Sequence, residues 1–183
     1  TYQEAVAAID FNTIALLLGM MVLVSALQVA GFFHLLAIQS LALARTPARL
    51  LALVVVATAV SSAFFVNDAV VLLFTPIIIG VCRARRIDPV PYLIAEAMAS
   101  NIGSTATIVG NPQNMLIGIT AGISFVRFFL YLLPVAALST VVLIFVMRRI
   151  NGISFSRHFD GIPGLPAEAR TYDKKAIWRL MPV

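Results

Sequence analysis

The chain has 183 residues, of which 61% are hydrophobic and only 11% charged, and its mean hydropathy is +0.99. These values exclude an ordinary soluble domain and indicate a multi-pass membrane protein, with the lipid bilayer as its surroundings. The expected location is the plasma (inner) membrane. The net charge of +5 does not indicate nucleic-acid binding, because the basic residues form short clusters between apolar segments. The lone Cys82 excludes an intrachain disulfide.

The first elements are predicted from length and polarity. Residues 1–10 are polar enough to lie outside the hydrocarbon, and a first span is expected over about 12–30. Residues 32–44 are apolar but too few to cross, so they predict an interfacial helix in which His34 is a surface residue. Because no basic segment with a cleavage site precedes the first span, no signal peptide is expected, and the chain reads as a fragment of a longer protein.

The next apolar segment, about 50–82, has a length that fits neither one membrane span nor two. As one helix it would be about 50 Å long against a core of about 30 Å, and as two full spans it is short. We therefore predict a re-entrant helical hairpin whose polar tip lies near Asn67 and Asp68. The positive-inside rule agrees, since Arg45 and Arg49 precede the segment and the 83–86 cluster follows it.

Two further spans complete the predicted membrane domain, residues 1–150. The first, about 91–119, contains the stretch SNIGSTATIVGNPQN, and its polar residues predict a helix that unwinds midway. The second, about 126–147, ends at a cytoplasmic arginine pair. Residues 151–183 are expected to form a cytoplasmic linker toward a second half of the same protein. The predicted fold is thus an all-α polytopic membrane protein, one inverted-repeat half of a carrier.

The hairpin tip, SSAFFVND, is the first candidate site. Ser62 and Asn67 are five residues apart, and a slightly unwound turn would aim both oxygens at one cation such as Na⁺. Helix ends at the tip would add partial charges, with N-termini favouring anions and C-terminal carbonyls favouring cations. The alternative is that Asn67 and Asp68 only cap the second half-helix, with Asp68 at its N-cap.

The unwound stretch is the second candidate site. Its glycines, including Gly110, would let backbone carbonyls turn inward, and Pro112 would break the helix. The alternative is a packing motif, in which small residues let helices approach closely. The candidate ion- or substrate-binding residues here are Asn101, Gly103, Ser104, Thr105, Thr107, Asn111 and Asn114.

Glu96 precedes this stretch within the same span. An intramembrane carboxylate is by default a candidate for a proton or cation relay. The alternative places Glu96 near the cytoplasmic headgroups, beside the 83–86 cluster. The expected coupling ion is therefore Na⁺ or H⁺, and no cofactor is expected.

The two polar stretches, in this order and spacing, resemble the ion transporter superfamily. SAFFVNDAVVLLFTPIIIG looks like its first re-entrant hairpin, STATIVGNPQN looks like its unwound span, and IDFNTIALLLGMMVLVSALQVAGFF resembles the arsenical-pump branch. The superfamily also includes citrate-transporter-like permeases and divalent anion/sodium symporters. The resemblance covers residues 9–150 and implies an elevator-type carrier, often a homodimer, with half of the binding site in this chain.

Carried over by position, the resemblance implies that Ser62 and Asn67 are side-chain sodium ligands and that the backbone from Gly103 to Thr107 supplies carbonyl ligands. Asp68 departs from the family pattern, because it stands where the dicarboxylate carriers have Thr. An anionic Asp68 would repel a carboxylate and suits a cation or a neutral substrate such as arsenite better.

Three classes of function compete at this point. An ion-coupled permease of a small anion or oxyanion leads, with Na⁺/H⁺ antiport as its close variant. A channel or structural subunit would need a continuous pore with repeated charge or carbonyl rings. An intramembrane aspartyl enzyme would need Asp68 and Glu96 within hydrogen-bonding distance.

Overall fold

A computed structural model describes residues 11–31, 44 and 46–153. This part of the chain is helical throughout, without a strand, as the predicted all-α class requires. The helices are α1 (Phe11–Val29), α2 (Pro47–Phe64), α3 (Asn67–Ala84), α4 (Val90–Ser104), α5 (Pro112–Thr120) and α6 (Phe125–Ile150), with a 3-10 turn at Ile108–Gly110. The predicted interfacial helix before Ala44, including His34, and the linker beyond Ile153 lie outside the described residues.

The segment predicted as a hairpin forms two helices separated by a short break. Helix α2 starts at Pro47, where the Thr46 side chain caps the helix by accepting a hydrogen bond from the Arg49 N–H at 3.2 Å. It ends where Phe65 becomes extended, with φ −127° and ψ 157°. Each arm has 18 residues, or about 27 Å of helix. Both are long and apolar enough to cross a bilayer, so insertion to half depth stays a prediction.

Contacts between the helices establish their directions. Helices α2 and α4 run parallel, because the Tyr92 hydroxyl donates to the Pro47 carbonyl at 3.2 Å at their beginnings, and the Thr107 hydroxyl donates to the Ala63 carbonyl where both end. Helix α3 runs antiparallel to them, since Asn67 lies beside Ser100 at one end. Both ends of the hairpin therefore lie on the same side of the bundle, the arrangement that the flanking arginines predicted.

The core lies between α2, α3, α4 and the C-terminal half of α6. Helix α3 contributes a stripe at four-residue spacing, the arrangement that places side chains on one helix face. Its members are Val70, Phe74, Ile78 and Cys82. They belong to one buried cluster with Leu51 and Val55 of α2, Ala95 and Ala99 of α4, and Leu143 and Met147 of α6.

The outer helix faces are apolar and exposed. On α6, Leu130, Leu138 and Phe145 are 63%, 67% and 67% exposed. This helix is a candidate membrane span with a mean hydropathy of 2.5. A soluble protein rarely exposes a continuous apolar surface of this kind. The chain is therefore embedded in a membrane.

Helices α3, α5 and α6 end in the same way. In each, the second N–H beyond the C-cap bonds back to a carbonyl five residues earlier, as from Ile87 to Cys82, Ile123 to Gly118 and Ile153 to Arg148. This is the Schellman motif, which requires a positive φ at the residue before that donor. Glycine fills the position twice, at Gly122 and Gly152, but Arg86 fills it after α3 with φ 53°.

Replacing Arg86 with glycine is expected to stabilise the protein by about 1 kcal/mol, because the left-handed conformation costs a side-chain-bearing residue about that much. Gly122→Ala is the matched control. An added Cβ at Gly122 meets nothing within 4 Å, so the substitution should destabilise by backbone strain alone. Thermal unfolding of the full-length protein in detergent measures both, and shifts of the same sign would contradict the argument.

Candidate functional site

The two polar stretches meet at the breaks of their helices. The Asn67 side-chain amide, at the start of α3, donates to the Asn101 Oδ1 atom of α4 at 3.4 Å. The Ser100 hydroxyl donates to the Asn67 backbone carbonyl at 3.1 Å. These bonds join the hairpin tip to the broken span. The sequence-predicted residues Asn67 and Asn101 therefore lie side by side.

Four helix ends converge at these contacts. Helix α2 ends and α3 begins around Phe65, while α4 ends at Ser104 and α5 begins at Pro112. The Thr107 hydroxyl bonds to the Ala63 carbonyl and so ties the two breaks directly. Helix C-termini carry partial negative charge and N-termini partial positive charge. The junction thus offers carbonyl ends to a cation and N–H ends to an anion.

The span predicted to unwind does so between Ser104 and Pro112. Asn114 holds the unwound segment: its amide group donates to the backbone carbonyls of Ser104 at 3.1 Å, Thr105 at 3.5 Å and Thr107 at 2.9 Å. Because these carbonyls lie outside the helical ladder, the amide supplies donors that the backbone does not. Asn114 thereby brings three carbonyl oxygens toward one point.

Asn111 caps the helix that follows the unwound segment. Its Oδ1 accepts from the Asn114 N–H at 2.8 Å, and its amide nitrogen contacts the Ser104 hydroxyl at 3.2 Å. Ser104 in turn donates to the Asn101 carbonyl at 2.9 Å, and Thr105 to the Ile102 carbonyl at 2.7 Å. The hydroxyls of Ser104 and Thr105 thus bond back to their own helix.

The glycines of this stretch are sites of close approach. A Cβ at Gly103 would lie 2.1 Å from the Ala59 carbonyl oxygen, and one at Gly110 would lie 2.3 Å from that of Ser104. The Gly103 carbonyl accepts a hydrogen bond from the Ala106 N–H at 3.0 Å. The packing alternative therefore accounts for both glycines, since no side chain fits at either position.

Ser62 belongs to a group of buried hydroxyls that the sequence analysis singled out only in part. The side-chain oxygens of Thr58, Ser61 and Ser62 are buried without a hydrogen-bond partner among the described residues. Their spacing of three and four residues places them on one face of α2. The same spacing in the sequence could have identified Thr58 and Ser61 as candidate site residues, but only Ser62 was predicted. A buried hydroxyl without a partner is costly, which makes this face a candidate for an ion or water.

Asp68 is not a helix cap. Helix α3 begins at Asn67, its N-cap position is occupied by Val66, and no side chain caps it. The capping interpretation is therefore wrong. Asp68 is an exposed residue in the first turn, where its charge is favourable toward the positive end of the helix dipole.

Glu96 is buried in the middle of the bundle. Its side chain is 1% exposed, and its Oε2 accepts a hydrogen bond from the Thr75 hydroxyl of α3 at 3.1 Å. Thr75 is seven residues, or about 10 Å, along α3 from Asp68. The two carboxyls are therefore too far apart for the pairing that aspartyl chemistry requires.

Comparison with known proteins defines the class of this chain. A family model described as the citrate transporter matches residues 1–181. The chain is 41% identical over 143 residues to a 46 kDa membrane protein of Mycobacterium leprae, covering 78% of this chain and 33% of that protein. It is 39% identical over 145 residues to an uncharacterized transporter of Mycobacterium bovis, covering 79% and 34%. No solved structure matches the chain.

A match over a shorter part of the chain extends the similarity to animals. The human P protein is 43% identical over 112 residues, which are 60% of this chain and 13% of that protein. Together with the helical membrane fold, these matches place the chain in a family of membrane transporters. The chain belongs to the citrate transporter family, within the superfamily that the two polar stretches resemble. It spans about a third of the length of its mycobacterial relatives.

Proposed function

We propose that the protein is a secondary active transporter, which moves a small anion or oxyanion such as arsenite or a carboxylate, coupled to a Na⁺ or H⁺ gradient. The junction of the two helix breaks is its proposed binding site. The observation that carries the proposal is the contact between Asn67 and Asn101, which joins the breaks at four helix ends. Discontinuous helices of this kind bind ions and substrates in many carriers.

The proposed coupling cation binds near Ser62, Asn67 and Gly103. Ser62 supports this assignment because its hydroxyl oxygen is buried without a partner. The carbonyls gathered by Asn114 retain a second lone pair each, so they can accept an ion as well as the amide. The proposed substrate faces the N-terminal ends of α3 and α5. A second half of the same protein, with its own broken helices, would complete the site.

Na⁺/H⁺ antiport is the second candidate, and Asp68 favours it. This carboxylate is exposed in the first turn of α3, next to Asn67. It would attract a cation to the junction and repel an anionic substrate. We further propose a plasma-membrane location and a homodimer, both of which follow the family resemblance.

Transport by the full-length protein in proteoliposomes tests the proposal. Sodium and proton gradients are imposed separately, while arsenite, dicarboxylates, sulfate and lithium are offered in turn. We expect saturable flux of one substrate that follows one gradient. Lithium or sodium exchange against protons would select the antiporter. An ohmic current without saturation would overturn the carrier and favour a channel.

Asn67→Ala is expected to reduce that flux to background while leaving the amount of folded protein unchanged, because the site loses an amide at the junction of the breaks. Asn151→Ala is the matched control. Asn151 also carries an amide, which donates to the Met147 carbonyl at 2.9 Å, but it lies at the C-terminal end of α6. Flux is measured beside size-exclusion profiles, and normal transport by a well-folded Asn67→Ala protein would refute the assignment.

A further inference from the structure

We propose that Glu96 is the proton-binding residue of this chain, with Thr75 as its positioning residue, and that the carboxyl couples proton binding to the packing of α3 against α4. This inference rests on the proposed ion-coupled transport and names one of its coupling sites. The proposed proton site lies at the α3–α4 interface, between the helix breaks and the arginine-rich end of the bundle. It is separate from the proposed cation position at Ser62 and Asn67. The step is simple proton exchange: a carboxylate oxygen takes up a proton, and the acid later returns it to water.

The carboxyl is enclosed, and it lacks the donors that an ionised group requires. Glu96 is 1% exposed. Its Oε2 accepts one hydrogen bond, from the Thr75 hydroxyl at 3.1 Å, and its Oε1 has no hydrogen-bond partner among the described residues. Burying a charged carboxylate with one neutral donor is expensive, so the group neutralises instead. The arrangement therefore fits the protonated acid.

The depth of this contact places it away from both ends of the bundle. Thr75 is eight residues from the start of α3 and nine from its end, which are about 12 Å and 13 Å along the helix. Glu96 also lies one turn beyond Tyr92, whose hydroxyl bonds to the Pro47 carbonyl at the arginine-rich end. Glu96 thus lies between the two ends of the bundle, one helical turn inside the arginine-rich end.

The charged and titratable groups on the packed elements lie toward their ends. The 3-10 turn has none. Helix α4 carries Tyr92 near its start, and α2 carries Arg49 in its first turn. Helix α3 carries Asp68 in its first turn and Cys82 and Arg83 in its last turn. Helix α6 carries Arg127 and Tyr131 near its start and Arg148 and Arg149 in its last turn. The hydrogen bond that Glu96 accepts comes from a neutral hydroxyl. Proton uptake is thus the direct way to remove its charge.

Loss of the proton would favour separation of the two helices near Thr75. An ionised Glu96 needs water, which reaches it only if α3 moves away from α4. Helix α3 contains Pro76 beside Thr75, and a proline lacks the N–H that would bond to the carbonyl of Leu72. The helix is therefore weakened where the carboxyl contacts it. Each protonation state favours a different packing, which is what coupling requires.

Infrared spectroscopy of the purified full-length protein tests the proposal without relying on transport. A neutral carboxylic acid has a C=O stretching band that the carboxylate lacks. We expect such a band in the wild type, its loss in Glu96→Gln, and its retention in Asp88→Asn, which removes an exposed carboxyl that accepts from the Val90 N–H at 3.0 Å. Absence of the band in the wild type at neutral pH would overturn the proposal.

Substitutions of Thr75 test the proposal even if the Glu96→Gln protein does not fold. Thr75→Val removes the hydroxyl but keeps the branched shape, so the band should shift in frequency, whereas Thr75→Ser should leave it in place. A purely structural role for Thr75 would not move a carboxyl band. An unshifted band in Thr75→Val would contradict the assignment.

Flux measurements separate this inference from the proposed function. If proton gradients drive flux in the wild type, Glu96→Gln should lose that response. Retention of the response by a folded Glu96→Gln protein would refute Glu96 as the coupling residue but leave the transporter intact. The reverse result, a Glu96 band without any coupled flux, would support the proton site and refute the proposed function.

Discussion

Replacing Gly103 with alanine is expected to prevent correct packing of α4 against α2, with a loss of stability above about 3 kcal/mol, beyond the usual cost of overpacking. The added Cβ would lie 2.1 Å from the Ala59 carbonyl oxygen and 2.5 Å from its Cα. Both are backbone atoms, so no side-chain rotation can relieve the contact. The parallel helices would have to separate along their length, and the junction of the breaks would open with them.

Gly80→Ala is the control for this experiment. Gly80 lies within α3, and an added Cβ there meets nothing within 4 Å. Alanine should therefore stabilise the helix by about 0.5–1 kcal/mol through its lower backbone entropy in the unfolded chain. Thermal unfolding and detergent-extracted yield of the full-length protein are measured for both variants. Equal stability of Gly103→Ala and wild type would show that the α2–α4 contact is looser than the structure has it.

Asn114→Asp is expected to have the second-largest effect. The substitution keeps the shape of the side chain but replaces the donating amide nitrogen with an oxygen that faces the carbonyls of Ser104, Thr105 and Thr107. The amide nitrogen has two N–H groups to share among these carbonyls, so their loss should cost about 2 kcal/mol at roughly 1 kcal/mol each, before any repulsion between the oxygens. The unwound segment should lose its fixed shape, and transport should fail with it.

Gln113→Ala provides the comparison, because Gln113 is the exposed neighbour of Asn114 in the same first turn of α5. It should retain wild-type stability and flux. Hydrogen exchange of the 104–111 backbone amides measures the effect directly, with faster exchange expected in Asn114→Asp alone. Unchanged exchange in that variant would mean that the amide does not hold the segment.

Several parts of the fold could be predicted from the sequence because they depend on local chemistry. Polar residues inside an apolar segment indicated where the helices break, and the structure confirms that breaks lie at Phe65 and after Ser104. Arginine clusters indicated that both ends of the hairpin share one side. Both signals need only the cost of burying polar or charged groups in hydrocarbon.

The remaining features depend on which helices become neighbours. The parallel contact of α2 and α4 makes Gly103 a packing residue, one of two interpretations that the sequence left open, the other being that its backbone freedom lets a carbonyl turn inward. The sequence does not indicate that the Asn114 amide bonds to the carbonyls of Ser104, Thr105 and Thr107, so Asn114 could be predicted only as a polar candidate residue. The arms of the hairpin are longer than predicted because Thr46 caps α2 before the apolar segment begins.

The pairing of α2 with α4 also affects how the protein is made. The Ala63 carbonyl and the Thr107 hydroxyl that satisfies it are 44 residues apart, and ribosomes add about 5–20 residues per second. The end of α2 is thus synthesised about 2–9 s before its partner. During that interval the Ala63 carbonyl lacks the Thr107 hydroxyl that bonds to it in the folded chain. We expect the nascent hairpin to remain against the insertion machinery until Thr107 emerges, because release into lipid alone would leave this carbonyl without a hydrogen-bond donor.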